Sequence, residues 1–229
     1  MKIFLDTGSL KEIKKYSKSK FIKGFTTNPS LLKKNQENDL RKFLIDYKNF
    51  SKKPISIEIT EKSHKKIYNQ IFKLNEINKN IFIKVPYYDH KGDNLLDIIS
   101  VLISKKININ VTAVFSKKQI NELSKILNRH KSKKNNVIIS IFCGRIADTL
   151  RDPSEYIKYA KVSFGNRAQV LWASVRQVYN LMEASNCNTD IITIPLDTLK
   201  KMDLKGFSLE KYSKITSEQF FADGKNILY

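Results

Sequence analysis

The chain has 229 residues and a formal net charge of +20, and hydrophobic residues make up 41% of it. This length suits one domain, and this hydrophobic content supports a sizeable core, which argues against an intrinsically disordered chain. No apolar run reaches the roughly 20 residues that cross a bilayer, which argues against a membrane-spanning protein.

Runs rich in β-branched residues recur along the chain, separated by lysine-rich stretches with apolar residues at helical spacing. The predicted strands cover residues 2–7, 21–27, 55–60, 81–85, 107–115, 137–142, 170–173 and 191–194. Alternating strands and helices imply a parallel sheet, and eight such units favour a closed α/β (β/α)8 barrel over an open sheet. We therefore predict a single barrel domain over residues 1–229, with a C-terminal helix or tail at about 207–229.

The positive charge comes from lysines spread along the whole chain, mostly in predicted helices and loops. No basic tail, arginine-rich arm or zinc-finger spacing accompanies them, so the charge indicates solvated helix faces rather than a nucleic-acid surface. Cys143 and Cys187 stand in unrelated segments, as is typical of reduced cysteines in the cytoplasm. We expect a cytoplasmic protein without nucleic-acid or membrane partners.

Polar side chains stand at or near the carboxyl ends of the predicted strands, where the active sites of such barrels lie. They are Asp6, Thr26, Thr27, Asn28, Glu58, Lys84, Asn110, Thr112, Ser140, Arg145, Ser174 and Arg176. Asp148 and Asp152, in A-D-T-L-R-D-P, indicate capping and turn roles instead. The three histidines lack the spacing of metal ligands, so we expect no metal site.

Lys84 lies in the apolar run I-F-I-K-V-P. If Ile81 and Ile83 face the helices, strand alternation turns Phe82 and Lys84 into the barrel. Burial removes water from an ammonium and favours the neutral amine, which is the form that attacks a ketone to make an imine. The pattern leaves two alternatives open, a lysine that extends to solvent from the strand end and a structural ion pair with Glu58.

Asp6 and Glu58 strengthen the catalytic interpretation, because an amine that builds and breaks an imine needs groups that carry protons. The alternative for Asp6 is a capping residue for a helix that begins near Ser9. No cofactor is expected, because the lysine itself supplies the electron sink.

A series of short motifs between residue 1 and about residue 199 resembles those of the small transaldolases and fructose 6-phosphate aldolases. In chain order they are L-D-T, G-F-T-T-N-P-S-L, P-I-S-I-E-I, I-K-V-P, N-V-T-A-V-F-S, G-R-I-A-D and A-S-V-R. Jointly they are specific, although each alone is weak. The resemblance implies a barrel enzyme that works through a lysine Schiff base, and a homo-oligomer, either a pentamer or a decamer.

The resemblance also implies a role for each site residue. Lys84 would form the Schiff base, Asp6 would exchange a proton with the C4 hydroxyl, and Glu58 would move protons through a water that Thr112 helps to hold. The implied substrate contacts are Asn28, Asn110 and Ser140 on the three-carbon dihydroxyacetone unit, Arg145, Ser174 and Arg176 on the phosphate, and in addition Thr26 and Phe142.

The aldolases of this family carry a tyrosine on strand six and a glutamine on strand three, where this chain has Phe142 and Glu58. Because a phenylalanine cannot protonate the enamine, the bound three-carbon fragment would survive until an acceptor arrives. We therefore predict a transaldolase that moves a dihydroxyacetone unit from fructose 6-phosphate or sedoheptulose 7-phosphate to an aldose phosphate. The alternatives are an aldolase that releases dihydroxyacetone and a catalytically silent barrel that binds sugar phosphates or, through its positive charge, nucleic acid.

Three departures from the family pattern concern the surroundings of the site. Ile141 replaces a proline, Gly8 interrupts the usual run after Asp6, and the segment 177–180 lacks an S/T-P turn. None of these departures replaces Lys84, Asp6 or Glu58. They concern the geometry of the sites for the acceptor sugar and for the phosphate group.

Overall fold

Eight parallel strands form a closed barrel in the computed structural model of the chain, which describes residues 1–225 and 227. The strands are β1 (Lys2–Asp6), β2 (Ile22–Thr26), β3 (Ile55–Glu58), β4 (Ile81–Pro86), β5 (Ile109–Val114), β6 (Val137–Ile141), β7 (Gln169–Trp172) and β8 (Ile191–Pro195). Strands that follow one another in the chain are paired, and β8 pairs with β1 to close the barrel. Every predicted strand is present, so the predicted (β/α)8 barrel is confirmed.

Helices follow the strands and surround the barrel. They are α1 (Leu10–Ser17), α2 (Pro29–Lys34), α3 (Leu40–Phe50), α4 (His64–Ile77), α5 (Leu96–Ser104), α6 (Lys117–Arg129), α7 (Cys143–Ala147), α8 (Pro153–Phe164), α9 (Asn180–Asn186), α10 (Leu196–Lys201) and α11 (Leu209–Gly224), with short 3-10 helices at Lys134–Asn136 and Met202–Leu204. Side-chain caps begin several of them: Ser116 and Gln119 form a capping box on α6, and Asp152 caps α8 as predicted. Among the described residues, no helix combines the length and apolar character needed to cross a membrane.

The core has two layers because successive side chains of a strand point to opposite faces. Ile81 and Ile83 of β4 belong to the large cluster between the strands and the helices. Phe82 belongs to a separate cluster, which fills the barrel interior and contains Phe4, Phe82, Ile138, Leu171, Ala173 and Ile191. This division gives β4 the predicted alternation, and it directs Lys84, two residues after Phe82, into the barrel above the apolar cluster.

The C-terminal helix α11 is present, but none of its described residues is buried. Leu209 is 84% exposed and Phe221 is 80% exposed, so α11 presents apolar side chains to the surface. The prediction extended this segment to residue 229, and residues 226, 228 and 229 lie outside the described residues.

Candidate active site

Lys84 lies inside the barrel near the carboxyl end of β4, and 7% of the residue is exposed. Its Nζ donates a hydrogen bond of 2.8 Å to the carbonyl oxygen of Thr27 and lies 3.0 Å from Oε2 of Glu58. Glu58 is its direct register partner on β3. The alternative in which Lys84 extends to solvent is therefore wrong, whereas the ion pair with Glu58 is present and places a proton acceptor beside the amine.

Asp6 ends β1 at the same mouth of the barrel and is half-buried. Its Oδ1 accepts a hydrogen bond of 2.7 Å from the hydroxyl of Thr26, its register partner on β2. Burial raises the pKa of Asp6 above its ordinary value; the Lys84 ammonium and the Thr26 hydrogen bond oppose this rise, and the Glu58 carboxylate adds to it. Asp6 does not cap the first helix, because Ser9 supplies the side-chain cap of α1.

Asn110 and Ser140 are joined in a buried network across the barrel. The hydroxyl of Ser140 donates a hydrogen bond of 2.7 Å to Oδ1 of Asn110, whose Nδ2 donates one of 3.1 Å to Oγ of Ser56. Asn110 is the register partner of Lys84, so the network lies beside the amine. These hydrogen bonds fix the orientation of the Asn110 amide on the strand next to Lys84.

Thr112 lies at a bulge in β5. Ala113 has a positive φ of 57°, and the register with β6 shifts between Val111 and Val114. Such bulges re-aim side chains at the ends of barrel strands. The Thr112 hydroxyl is buried and makes no hydrogen bond to any residue within 1–225 and 227, so it is available to hold a water or a substrate oxygen.

Asn28 follows β2 and caps α2, because its Oδ1 accepts a hydrogen bond of 3.0 Å from the backbone nitrogen of Leu31. A Cβ atom on Gly8 would lie 2.5 Å from the carbonyl oxygen of Leu31. The glycine that departs from the family pattern therefore lets α2, with Asn28 at its start, pack against the loop after Asp6.

The three predicted phosphate-binding residues, Arg145, Ser174 and Arg176, lie in the segments that follow β6 and β7. Gly144, next to Arg145, packs so closely that a Cβ atom there would lie 1.8 Å from the carbonyl oxygen of Ser174 and 3.0 Å from Cγ of Arg176. Ser174 has a positive φ of 62°, which turns the chain after β7. Both guanidinium groups are exposed and accessible to an anion.

Two residues that sequence reasoning did not assign to the site hold Arg176. Oδ2 of Asp148, predicted only as a turn residue, lies 2.8 Å from Nη2 of Arg176. Oδ1 of Asn180 accepts hydrogen bonds of 3.0 Å from the backbone nitrogen of Arg176 and 3.1 Å from that of Gln177. Asn180 therefore organises the segment that lacks the S/T-P turn.

Phe142 is half-buried and packs on the apolar cluster inside the barrel. Its ring centroid lies 5.4 Å from that of Phe115, and the guanidinium carbon of Arg145 lies 6.0 Å from it. The ring thus stands between the barrel interior and the predicted phosphate contacts. It offers no proton donor there.

Ser56 and Thr193 are inward-facing polar residues that the sequence reasoning missed. Oγ1 of Thr193 lies 2.5 Å from Oγ1 of Thr26. Both missed residues stand between two isoleucines that pack outside the barrel, in I-S-I on β3 and I-T-I on β8. The alternation that identified Lys84 would have found them too.

Comparisons with known proteins point to one family. The sequence profile described as Transaldolase/Fructose-6-phosphate aldolase matches residues 3–226. The chain is 30% identical over 231 residues to a protein named "Probable transaldolase" from Clostridium botulinum (strain Loch Maree / Type A3), covering 98% of this chain and 100% of that protein. It is 32% identical over 205 residues to a "Probable transaldolase" from Clostridioides difficile (strain 630), covering 88% and 89%. A "Probable transaldolase" from Nitrosopumilus maritimus (strain SCM1) is 30% identical over 231 residues, covering 99% and 96%.

Proposed function

The chain belongs to the transaldolase/fructose 6-phosphate aldolase family, and on this premise we propose that it is a transferase, a transaldolase that works through a Schiff base on Lys84. The proposed donors are ketose phosphates such as fructose 6-phosphate and sedoheptulose 7-phosphate, and the proposed acceptor is an aldose phosphate. No cofactor takes part, because the imine on the lysine is the electron sink.

Imine formation is the first proposed step. The neutral amine of Lys84 attacks the C2 carbonyl carbon, and the carbinolamine then loses its hydroxyl group as water. To free this amine, Glu58, whose Oε2 lies 3.0 Å from Nζ, would first take a proton from the Lys84 ammonium. A second proton moves from nitrogen to oxygen as the carbinolamine forms, and Glu58 would then give its proton to the departing hydroxyl group, which leaves as water and gives an iminium on Lys84. Thr112 would help to hold a water that carries the proton.

Cleavage of the C3–C4 bond is the second step. Asp6 takes the proton of the C4 hydroxyl, C4 becomes an aldehyde carbon, and the electron pair of the broken bond moves into the iminium to give an enamine on Lys84. In the reverse direction C3 of the enamine attacks an acceptor aldehyde, and Asp6 returns its proton to the new hydroxyl. A carboxyl group whose pKa is raised by burial suits both roles, as base in cleavage and as acid in the reverse step. The raised pKa brings the free energies of its protonated and ionised forms closer together near neutral pH.

Transfer is favoured over release by Phe142. Release requires a proton donor for C3 of the enamine, and the phenyl ring has none. The enamine would therefore persist until an aldehyde binds. An aldolase that releases dihydroxyacetone, the second activity in the family description, is the alternative outcome.

The observation that carries this proposal is the buried Lys84 amine between the Glu58 carboxylate and the Thr27 carbonyl oxygen, at the mouth that also holds Asp6. The test is to add sodium borohydride to the protein with fructose 6-phosphate and to map the modified peptide by mass spectrometry. Reduction of the imine would attach the substrate fragment to Lys84. An unmodified wild-type protein would refute the proposal.

Two variants make this test specific. Lys84→Met should abolish the adduct and the activity. Lys23→Met, which removes an exposed lysine of β2, should change neither. Dihydroxyacetone assayed with and without erythrose 4-phosphate then separates the two activities, because release without an acceptor identifies an aldolase.

We also propose a cytoplasmic homo-oligomer that binds sugar phosphates. The exposed apolar side chains of α11, among them Leu209 and Phe221, support self-association because such side chains are normally covered. Light scattering of the purified protein would give the mass of the particle, and a monomer at micromolar concentration would contradict this part of the proposal.

A further inference from the structure

Two threonine hydroxyl groups form a short hydrogen-bonded series, the hydroxyl chain, that leads from Thr193 through Thr26 to Asp6. β1 lies between β2 and β8, and Thr26 of β2 meets Thr193 of β8 inside the barrel. The Oγ1 atoms of the two threonines lie 2.5 Å apart, and Thr26 Oγ1 lies 2.7 Å from Oδ1 of Asp6. Thr193 is 6% exposed and Thr26 is 3% exposed, so water competes little for these contacts.

We propose that Thr193 is a positioning residue for Asp6, which acts through Thr26 to keep Oδ1 occupied and to leave Oδ2 as the oxygen that exchanges a proton with substrate. The inference rests on the proposed function, because it concerns the acid–base residue of that reaction.

The direction of the chain follows from counting protons. A hydroxyl group has one hydrogen to donate. If Thr26 donates its hydrogen to the Asp6 carboxylate, the contact between the threonines is made by the hydrogen of Thr193, and every donor has an acceptor. If Oδ1 of Asp6 carried a hydrogen directed at Thr26, both hydrogen bonds would reverse, and the buried hydrogen of Thr193 would have no acceptor among residues 1–225 and 227. If the hydrogen on Oδ1 pointed elsewhere, Thr26 would donate to the oxygen of a neutral hydroxyl group, which is a weaker acceptor than a carboxylate. The reversed chain is costly, because a buried donor without a partner loses its hydration.

The hydroxyl chain therefore disfavours protonation of Oδ1 of Asp6. The charged groups that face Asp6 from the other strands are the Lys84 ammonium of β4 and the Glu58 carboxylate of β3. They act on both oxygens of the carboxyl group, whereas the hydroxyl chain acts on one. Proton exchange with the C4 hydroxyl is thus assigned to Oδ2.

The test is the titration of Asp6 in the full-length protein labelled with 13C at the aspartate carboxyl carbons, with the Asp6 signal assigned from Asp6→Asn. Thr26→Val removes the direct bond and should raise the midpoint by about one pH unit or more. Thr193→Val removes only the support of that bond and should raise the midpoint by about 0.3 pH unit, because one hydrogen bond strengthens the next by a modest fraction. Thr193→Ser keeps the hydroxyl and should restore the wild-type midpoint.

The matched control is Thr189→Val. Thr189 is also a buried threonine, 3% exposed, and its hydroxyl makes no hydrogen bond within the described part of the chain. This variant should leave the Asp6 midpoint unchanged. Equal midpoints in Thr193→Val and the wild type, or an equal rise in Thr189→Val, would overturn the inference.

A second measurement tests the catalytic consequence. Thr193→Val should lower kcat about threefold to tenfold with KM within about twofold of the wild type, and the acidic limb of kcat/KM should move in the same direction as the titration. An unchanged acidic limb would overturn the assignment. Failure of the borohydride test in the wild type would refute the proposed function alone, because the titration of Asp6 needs no turnover.

Discussion

Glu58 and Lys84 are register partners on β3 and β4, and the carboxylate Oε2 lies 3.0 Å from the amine Nζ. Parallel register puts both side chains on the inward face, which brings the carboxylate beside the amine. A buried pair of this kind contributes little to stability, because the loss of hydration offsets the attraction. Under the proposed function, this pair at the strand ends serves proton transfer.

Replacing Glu58 with glutamine tests this role. Glu58→Gln keeps the shape and a hydrogen-bond acceptor for Lys84 but cannot carry a proton. We expect kcat to fall by about a hundredfold or more while the protein stays folded. The measurement is steady-state transfer from fructose 6-phosphate, together with the rate of borohydride trapping. Glu61→Gln, at an exposed position just beyond β3, is the control, and an equal loss in both variants would contradict the role of Glu58.

The raised pKa of Asp6 predicts a stability change with a definite sign. Because folding favours the protonated form, the native state is destabilised by this group as pH rises above the ordinary value of 3.8 towards the raised value. Asp6→Asn removes the ionisation, so it should be inactive yet more stable than the wild type at pH 7. The difference in the free energy of unfolding between Asp6→Asn and the wild type should disappear below pH 3.8. Urea unfolding across this pH range is the measurement.

The pKa of Asp190 is shifted in the opposite direction to that of Asp6. Burial opposes its ionisation, but hydrogen bonds from Lys134, Lys161 and the backbone of Val170 outweigh this and lower its pKa. Its stabilising contribution is present above the unfolded value and is lost as pH falls, so Asp190→Asn should be less stable than the wild type at pH 7. If both variants shift the unfolding midpoint in the same direction at pH 7, the argument from pKa is wrong.

Phe142→Tyr should move the enzyme from transfer towards release. In the proposed mechanism, a phenol at the position of this ring would protonate C3 of the enamine on Lys84 and so free dihydroxyacetone without an acceptor. We expect release to rise at least about tenfold, within the range that a general acid contributes. Phe115→Tyr adds the same hydroxyl to the neighbouring ring, whose centroid lies 5.4 Å away, and should have little effect. Similar release from both variants would show that the position of the hydroxyl is unimportant.

Gly144→Ala should disrupt the predicted phosphate contacts. The new Cβ atom would lie 1.8 Å from the backbone oxygen of Ser174, which no side-chain rotation can relieve. We expect a loss of about 2 kcal/mol or more in the free energy of unfolding and a rise of about tenfold in KM for fructose 6-phosphate. At Gly224 a Cβ atom meets nothing within 4 Å, so Gly224→Ala should change stability by less than about 0.5 kcal/mol. A normal KM in Gly144→Ala would argue against a phosphate site here.

Asp148→Asn should strengthen binding of phosphorylated substrates. The carboxylate pairs with Arg176 at 2.8 Å and repels an incoming phosphate, while its contribution to stability is small because both partners are 56% exposed. We expect KM for fructose 6-phosphate to fall about twofold to fivefold at low ionic strength, with a smaller effect at high salt. Glu155→Gln breaks another exposed pair, with Lys117, and serves as the control. A rise in KM would show instead that Asp148 holds Arg176 in its binding position.

The local pattern of apolar and polar residues predicts where the strands lie and which residues of each strand face the barrel interior. Lys84 and Phe82 alternate with Ile81 and Ile83, and this period of two follows from the geometry of an extended chain. The same rule puts Ser56 and Thr193 on the inward face, since each stands between two outward-facing isoleucines. Asp148 is the C-cap of α7, in line with its predicted capping or turn role. Its pair with Arg176 could not be predicted, because the local pattern A-D-T-L-R-D-P looks the same whether or not an arginine from another strand end lies nearby.

Contacts between distant segments depend on closure of the barrel and on its register. Thr26 and Thr193 are 167 positions apart and meet only because β8 returns to β1. The approach of Gly144 to Ser174, and the pairing of Asp148 with Arg176, are set by where the segments after β6 and β7 leave the barrel. The amino-acid pattern selects the residues that face inward, since alternation is a property of each strand. The pairs they form are decided by strand stagger, which arises only when all eight strands pack around one interior.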